Sequence, residues 1–222
     1  MADKRTPSSV LACLFSILTP IVLLLFILIP SLRPVFIAGT NSQPYVFGFF
    51  KFALLATVGE IIAGRITTGK FCFAKFVLVR ALIWGIIGIL ITLLFPLFSA
   101  GVVAVQDKGL LFGKGSKALS AFLTSVVNNF TFGIAMMAFH RITDTMLELR
   151  AIGQKKVKIE DAVRAIDWTA FVKHIVLRTI PFFWIPAHTL TFLLPDQYRV
   201  FASAFLSIIL GLLLAIGKRR SE

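Results

Sequence analysis

Arg178–Arg199 reads RTIPFFWIPAHTLTFLLPDQYR: an apolar run that carries three prolines, a tryptophan and a histidine between two arginines. Pro181 and Pro186 each lack a backbone donor and crowd the preceding turn, so a helix here must bend or leave carbonyls that lipid cannot satisfy. A segment of this kind needs protein or water beside it. It predicts the centre of a multi-helix membrane protein, and the chain on either side can be tested against that expectation.

The 222 residues are 58% hydrophobic, include 23 Phe and have a mean hydropathy of +0.91, far above a soluble globular composition. A membrane crossing takes about 20 apolar residues. Six segments approach that length: Val10–Pro30, Tyr45–Gly64, Ala81–Val103, Ala118–Phe139, His174–Pro195 and Val200–Gly217. The expected fold is therefore all-α, one polytopic transmembrane helical bundle of about six spans occupying residues 1–222.

The formal charge of +13 fits this topology. With Lys4 and Arg5 on the inner side, the outer loops hold only Arg33, Lys108, Lys114, Lys117 and Arg199. Lys51 lies inside a span, and the other 17 of the 23 Lys and Arg fall at the inner side. That asymmetry follows the positive-inside rule and provides contact with anionic lipid. The basic residues sit between spans and accompany no recognised motif, so nucleic acid is not an expected partner. Cys13 falls in the first span and Cys72 in an inner loop, and both read as unpaired thiols. The first apolar run is longer than a signal h-region and reads as a retained span.

Within the chain, Pro30, Pro34, Gly39, Asn41 and Pro44 predict a turn-rich outer loop over Ser31–Pro44. The second span holds Lys51, expected to snorkel outward, and Glu60 near its inner end, within reach of Arg65. Gly59 and Ala63 form a small-xxx-small pair that permits close helix approach and puts Glu60 beside an interface. Gly85, Gly88 and Pro96 predict packing and a kink in the third span. The fourth carries Asn128 and Asn129 at its middle, where amides need partners on neighbouring helices or an aqueous path. Just beyond it His140, Asp144 and Glu148 fall at i, i+4 and i+8 on one helical face, a spacing that imidazole and carboxylate metal ligands use and that solvated faces also show. Residues 152–173 predict an amphipathic segment on the inner membrane surface, with Trp168 and Phe171 in the headgroup region.

At Gly59–Glu60, His140–Asp144 and Pro181–Arg199 the sequence resembles the Mpv-seventeen / peroxisomal-membrane-protein-twenty-two family, and in particular its bacterial members. Trp184, Pro186, Thr191–Phe192, Pro195 and Arg199 can be read as the family's C-terminal block, and Gly59–Glu60 as its early Gly-Asp pair. Ile185 separates Trp184 from Pro186, and Thr191 stands where the family usually has Asn. The resemblance implies a small helical membrane protein, placed in a bacterial inner membrane, whose eukaryotic relatives are described as organelle channels or homeostasis factors.

Three functions follow as expectations. In the first, Glu60, Asn128, Asn129 and His188 face the interior of a channel or transporter for small solutes, around a fifth helix shaped by Pro181, Trp184, Pro186 and Pro195. In the second, the same polar groups are only interhelical glue in a structural or assembly factor, with His188 bonded to a carbonyl freed by a proline. In the third, His140, Asp144 and Glu148 serve an enzyme acting on a lipid-linked substrate, although no His-Glu-x-x-His or Gly-x-Ser-x-Gly setting is present. No enzyme activity and no cofactor are expected. The expected partners are membrane lipids, anionic at the inner face, and the chain is compatible with homo-oligomerisation.

Overall fold

A computed structural model describes residues 7–221. Lys4 and Arg5, expected at the inner face, lie outside the described residues, as do the side chains of Lys218, Arg219 and Arg220. Among the described residues there are eight helices and no strand: α1 (Pro7–Leu28), α2 (Arg33–Ser42), α3 (Pro44–Thr68), α4 (Val77–Asp107), α5 (Lys117–Ala151), α6 (Ile159–Ala165), α7 (Trp168–Leu193) and α8 (Asp196–Ser221). All except α2 and α6 are long and apolar enough to cross a membrane. Helix is the form such segments must take, because in hydrocarbon every backbone N–H and C=O has to be satisfied within its own segment.

The chain divides into two compact units, one from Met1–Ile89 and Val200–Glu222, the other from Leu90–Arg199, with the division falling inside α4.

The first unit contains α1, α2, α3, the start of α4 and most of α8. Small residues set its spacing. A Cβ on Gly59 would lie 3.4 Å from the Ser207 carbonyl oxygen and the Ile208 Cα, and one on Gly211 would lie 3.3 Å from the Gly59 carbonyl oxygen and 3.8 Å from the Ala63 Cβ. The Gly59–Ala63 face is therefore where α8 meets α3 at backbone distance. Gly88 of α4 lies against the Gly48 carbonyl and Phe52, and Gly85 lies against the Phe49 ring.

Two expectations for this unit are corrected. The stretch 31–44 is not a loop throughout, because residues 33–42 form α2. Pro34 stands in its first turn, where the missing N–H has no helical partner to lose and the fixed φ suits the helix, so this apparent breaker starts an element. Lys51 does not snorkel. It is only 3% exposed, and its Nζ donates to the Thr40 hydroxyl at 2.8 Å and sits 4.4 Å from the centre of the Phe36 ring. Helix α2 supplies both groups, a hydrogen-bond acceptor and a π face, which lower the cost of burying an ammonium.

The second unit contains the rest of α4 together with α5, α6 and α7. Helix α5 is capped by Ser116, whose hydroxyl accepts from the Leu119 N–H at 3.3 Å, and runs well past Phe139 to Ala151, with one π-helical turn at Asn129–Gly133. Within the amphipathic stretch 152–173, Ile159–Ala165 form a short separate helix. Asp167 then caps the Ala170 N–H at 2.8 Å and starts the fifth span at Trp168, earlier than His174. An N-terminal Asp cap of this kind is favourable enough to fix the helix start.

Helix α7 is π-helical over Phe171–Trp184, 14 residues that include Pro181, and α-helical from Ile185 on. The prolines explain that register. The wider π turn relieves the clash of Pro181 with the preceding turn, and Pro186 sits in the first turn after the change of register, where a missing donor matters least. The helix ends at Leu193, and Arg199 closes the turn through Pro195: its Nε donates to the Leu194 carbonyl at 2.9 Å and its Nη1 lies 2.7 Å from Asp196 Oδ1.

Candidate functional site

Polar groups buried at the middle of the second unit form a joint between α5 and α7. Ser125, fully buried, donates its hydroxyl to the Ile185 carbonyl at 2.8 Å. One turn on, the Asn129 amide nitrogen donates to the Ser125 carbonyl at 2.8 Å. The Asn129 carboxamide also meets His188 Nδ1, with the amide nitrogen at 3.0 Å and the amide oxygen at 3.2 Å. Because Asn129 opens the π-helical turn of α5 and His188 lies two residues beyond Pro186, both sides of the contact sit where the helix register changes. A carboxamide has both a donor and an acceptor, so it can serve either tautomer of the ring.

Aromatic rings enclose the histidine. The Trp184 ring centre is 5.0 Å from that of His188, and Phe95 stands edge-on to it at 5.5 Å. Phe192 packs on Phe95 at 4.8 Å and on His188 at 6.5 Å. Two atoms in this region are buried without a hydrogen-bond partner in the protein: Asn128 Oδ1 and Trp184 Nε1. Such groups are uncommon in folded proteins and costly in hydrocarbon.

Beside Phe192 lies a cavity of about 530 Å³, bordered by the C-terminal end of α4, the start of α5, the end of α7 and the turn to Arg199. Gln106, 2% exposed, shapes one wall: its amide nitrogen donates to the Phe112 carbonyl at 2.8 Å and its oxygen accepts from the Ser120 hydroxyl at 2.7 Å. The loop over this wall turns through Gly113 and Gly115, both at positive φ (85° and 80°). Phe192 therefore lines the cavity on one side and touches the His188 cage on the other.

Of the residues read from the sequence as interior candidates, Asn129 and His188 are brought together, with Asn128 next to them. His188 pairs through Nδ1 with a side chain on α5, that of Asn129. Glu60 belongs to the first unit, where its Oε1 accepts from Trp84 Nε1 at 2.9 Å, whereas Arg65 donates to the Gly69 carbonyl. His140, Asp144 and Glu148 do share one face of α5, but they climb it over about 12 Å at the rise of an α-helix. Among the described residues no three His, Cys, Asp or Glu side chains form a group that could hold a metal ion. Gln106 and Trp84 were missed by sequence reading, whereas Ser125 stands among the polar residues at the middle of the fourth span that the sequence marks as needing partners. A lone glutamine ending an apolar run was the available signal for Gln106.

Asn129→Leu removes the partner of a buried imidazole and one donor to the Ser125 carbonyl. The expected loss is about 1–3 kcal/mol, the cost of leaving a buried polar group unsatisfied, and it can be read from unfolding of the purified chain in mixed detergent micelles.

These observations define the class of protein: a helical membrane protein with a buried polar joint and a cavity edged by polar and charged side chains in one unit. No family model, curated protein or solved structure matches the chain.

Proposed function

We propose that the chain is a channel-like or transporter-like protein for small solutes, akin to the Mpv-seventeen / peroxisomal-membrane-protein-twenty-two family, and that its path runs through the second unit. It resides in a bacterial inner membrane with both termini cytoplasmic, in contact with anionic lipid at that face. This puts the cavity beside Phe192 at the outer side. The cavity is the vestibule, Phe192 with Phe95 is the constriction, and Asn128, Asn129, Trp184 and His188 form the polar site beneath it.

The observation that carries this reading is the pairing of an open cavity edged by polar and charged side chains with two buried, unpartnered polar atoms in the same unit, Asn128 Oδ1 and Trp184 Nε1; the Trp184 ring packs on His188, and Phe192 stands between His188 and the cavity. Ionisable and amide groups at membrane depth typically mark such paths, and a ring of apolar side chains can gate by excluding water. The test is solute release from vesicles carrying the purified chain. Release above that of protein-free vesicles supports the reading, and no release of ions or small metabolites at any voltage or pH ends it.

A second reading, a structural or assembly factor, draws on the internal pairing of Ser125 with Ile185 and of Asn129 with His188, which is what interhelical glue requires.

A further inference from the structure

We propose that the cavity beside Phe192 is an anion site, built for a phosphate-class oxyanion, and that this sets the charge of the solute admitted; the inference rests on reading the cavity as a vestibule. Three cationic side chains line it, Lys114, Lys117 and Arg199, against one carboxylate, Asp107. That carboxylate is already engaged, with Lys114 Nζ 3.4 Å from its Oδ1. Lys117 makes no ion pair among the described residues. Arg199 spends Nε on the Leu194 carbonyl and Nη1 on Asp196, a residue that does not line the cavity, and keeps Nη2 uncommitted.

The rest of the wall suits an oxyanion. Gln106, held in place by the Ser120 hydroxyl that donates to its oxygen, gives one amide N–H to the Phe112 carbonyl and has a second to offer. Lys117 stands at the start of α5, where the helix end adds positive partial charge to that of the side chains. Arg and Lys together bind oxyanions through short, charge-assisted hydrogen bonds, and rings of such residues line anion and phosphate pores. A cleft walled by one sign of charge also raises the local concentration of its counter-ion. The volume of about 530 Å³ exceeds the needs of a bare ion and lies within the range of roughly 300–1,000 Å³ that small-molecule sites occupy. It admits a phosphate that is free or attached to a small carrier.

The phosphate can come from solution or from a lipid headgroup, and the experiment separates these sources. The full-length chain is placed in phosphatidylcholine nanodiscs and inorganic phosphate binding is measured by equilibrium dialysis; a parallel sample contains phosphatidylglycerol, whose retention is followed by mass spectrometry. Saturable phosphate binding in the first sample identifies a soluble anion, and selective retention of phosphatidylglycerol that excludes phosphate identifies a headgroup. In either case Lys117→Gln weakens binding about tenfold, as expected for the loss of one charge-assisted hydrogen bond, and Arg199→Gln weakens it at least as much. Lys117 is exposed and its replacement leaves the fold intact, so its result stands even if Arg199→Gln disturbs the Pro195 turn. Binding of neither ligand, or binding unchanged in Lys117→Gln, overturns the site. Flux without anion binding defeats this inference alone, and anion binding without flux defeats the transport reading alone.

Discussion

Phe192→Ala is expected to raise solute release from vesicles about tenfold or more over the unaltered chain. Phe192 is 4% exposed and holds its position through Phe95 at 4.8 Å and His188 at 6.5 Å, with the Arg199 guanidinium 5.8 Å from its ring. Aromatic pairs contribute about 0.5–1.5 kcal/mol each beyond the area they bury. Losing two such contacts shifts a closed–open equilibrium by about 1–3 kcal/mol, a range that includes the 1.4 kcal/mol corresponding to tenfold in population. The substitution also removes much of the apolar bulk between the cavity and the Asn129–His188 joint. Phe205→Ala, in the other unit, is the matched control and should leave release unchanged. Equal release from the two variants would mean that Phe192 closes nothing.

The largest expected loss of stability is at Gly88. A Cβ there would overlap the Gly48 carbonyl oxygen and crowd the Phe52 Cβ. The first of these is backbone on the facing helix and cannot rotate aside, so Gly88→Leu must push α4 off α3. Trp84 is one turn earlier on the same face, and the separation would break its 2.9 Å bond to Glu60. Overpacking typically costs about 1–3 kcal/mol, and the severed Trp84–Glu60 bond adds to it. Gly88→Leu should therefore unfold at distinctly lower denaturant than the unaltered chain, with altered tryptophan emission. Gly64→Ala, where a new Cβ meets nothing within 4 Å, should be neutral or stabilising, since alanine is the better helix former by about 1 kcal/mol. If the two substitutions behave alike, α3 and α4 do not meet at Gly88.

The six long helices were legible because long apolar runs have few alternatives to a helix in lipid. The small residues were legible too: Gly59, Gly85 and Gly88 all fall where neighbouring helices approach. What the sequence hid has specific physical causes. Pro34 reads as a breaker, yet at a helix N-terminus it is a starter, and α2 was missed for that reason. With α2 unseen, Lys51 had no visible partner and looked like a snorkelling side chain. The π-helical register of α7 has no residue signature apart from its prolines. The pairing of Asn129 with His188 joins positions 59 apart in the chain, and no local pattern encodes it. Polar residues at membrane depth could be flagged from sequence, but their partners depend on how α5 and α7 are rotated about their own axes.

That distinction separates Asn128 from Asn129. Asn129 is committed to His188 and Ser125, whereas Asn128 Oδ1 has no partner in the protein although the residue is 2% exposed. A group used only to join helices should be satisfied by the helices, and a group on a solute path can be left for the solute or its water. The decisive measurement is Asn128→Leu, with solute release and unfolding followed on the same preparation. A path through the second unit predicts that release falls while stability holds or improves, because an unpartnered buried oxygen has been replaced by an apolar side chain. Reduced stability with unchanged release would contradict it and make Asn128 part of the packing.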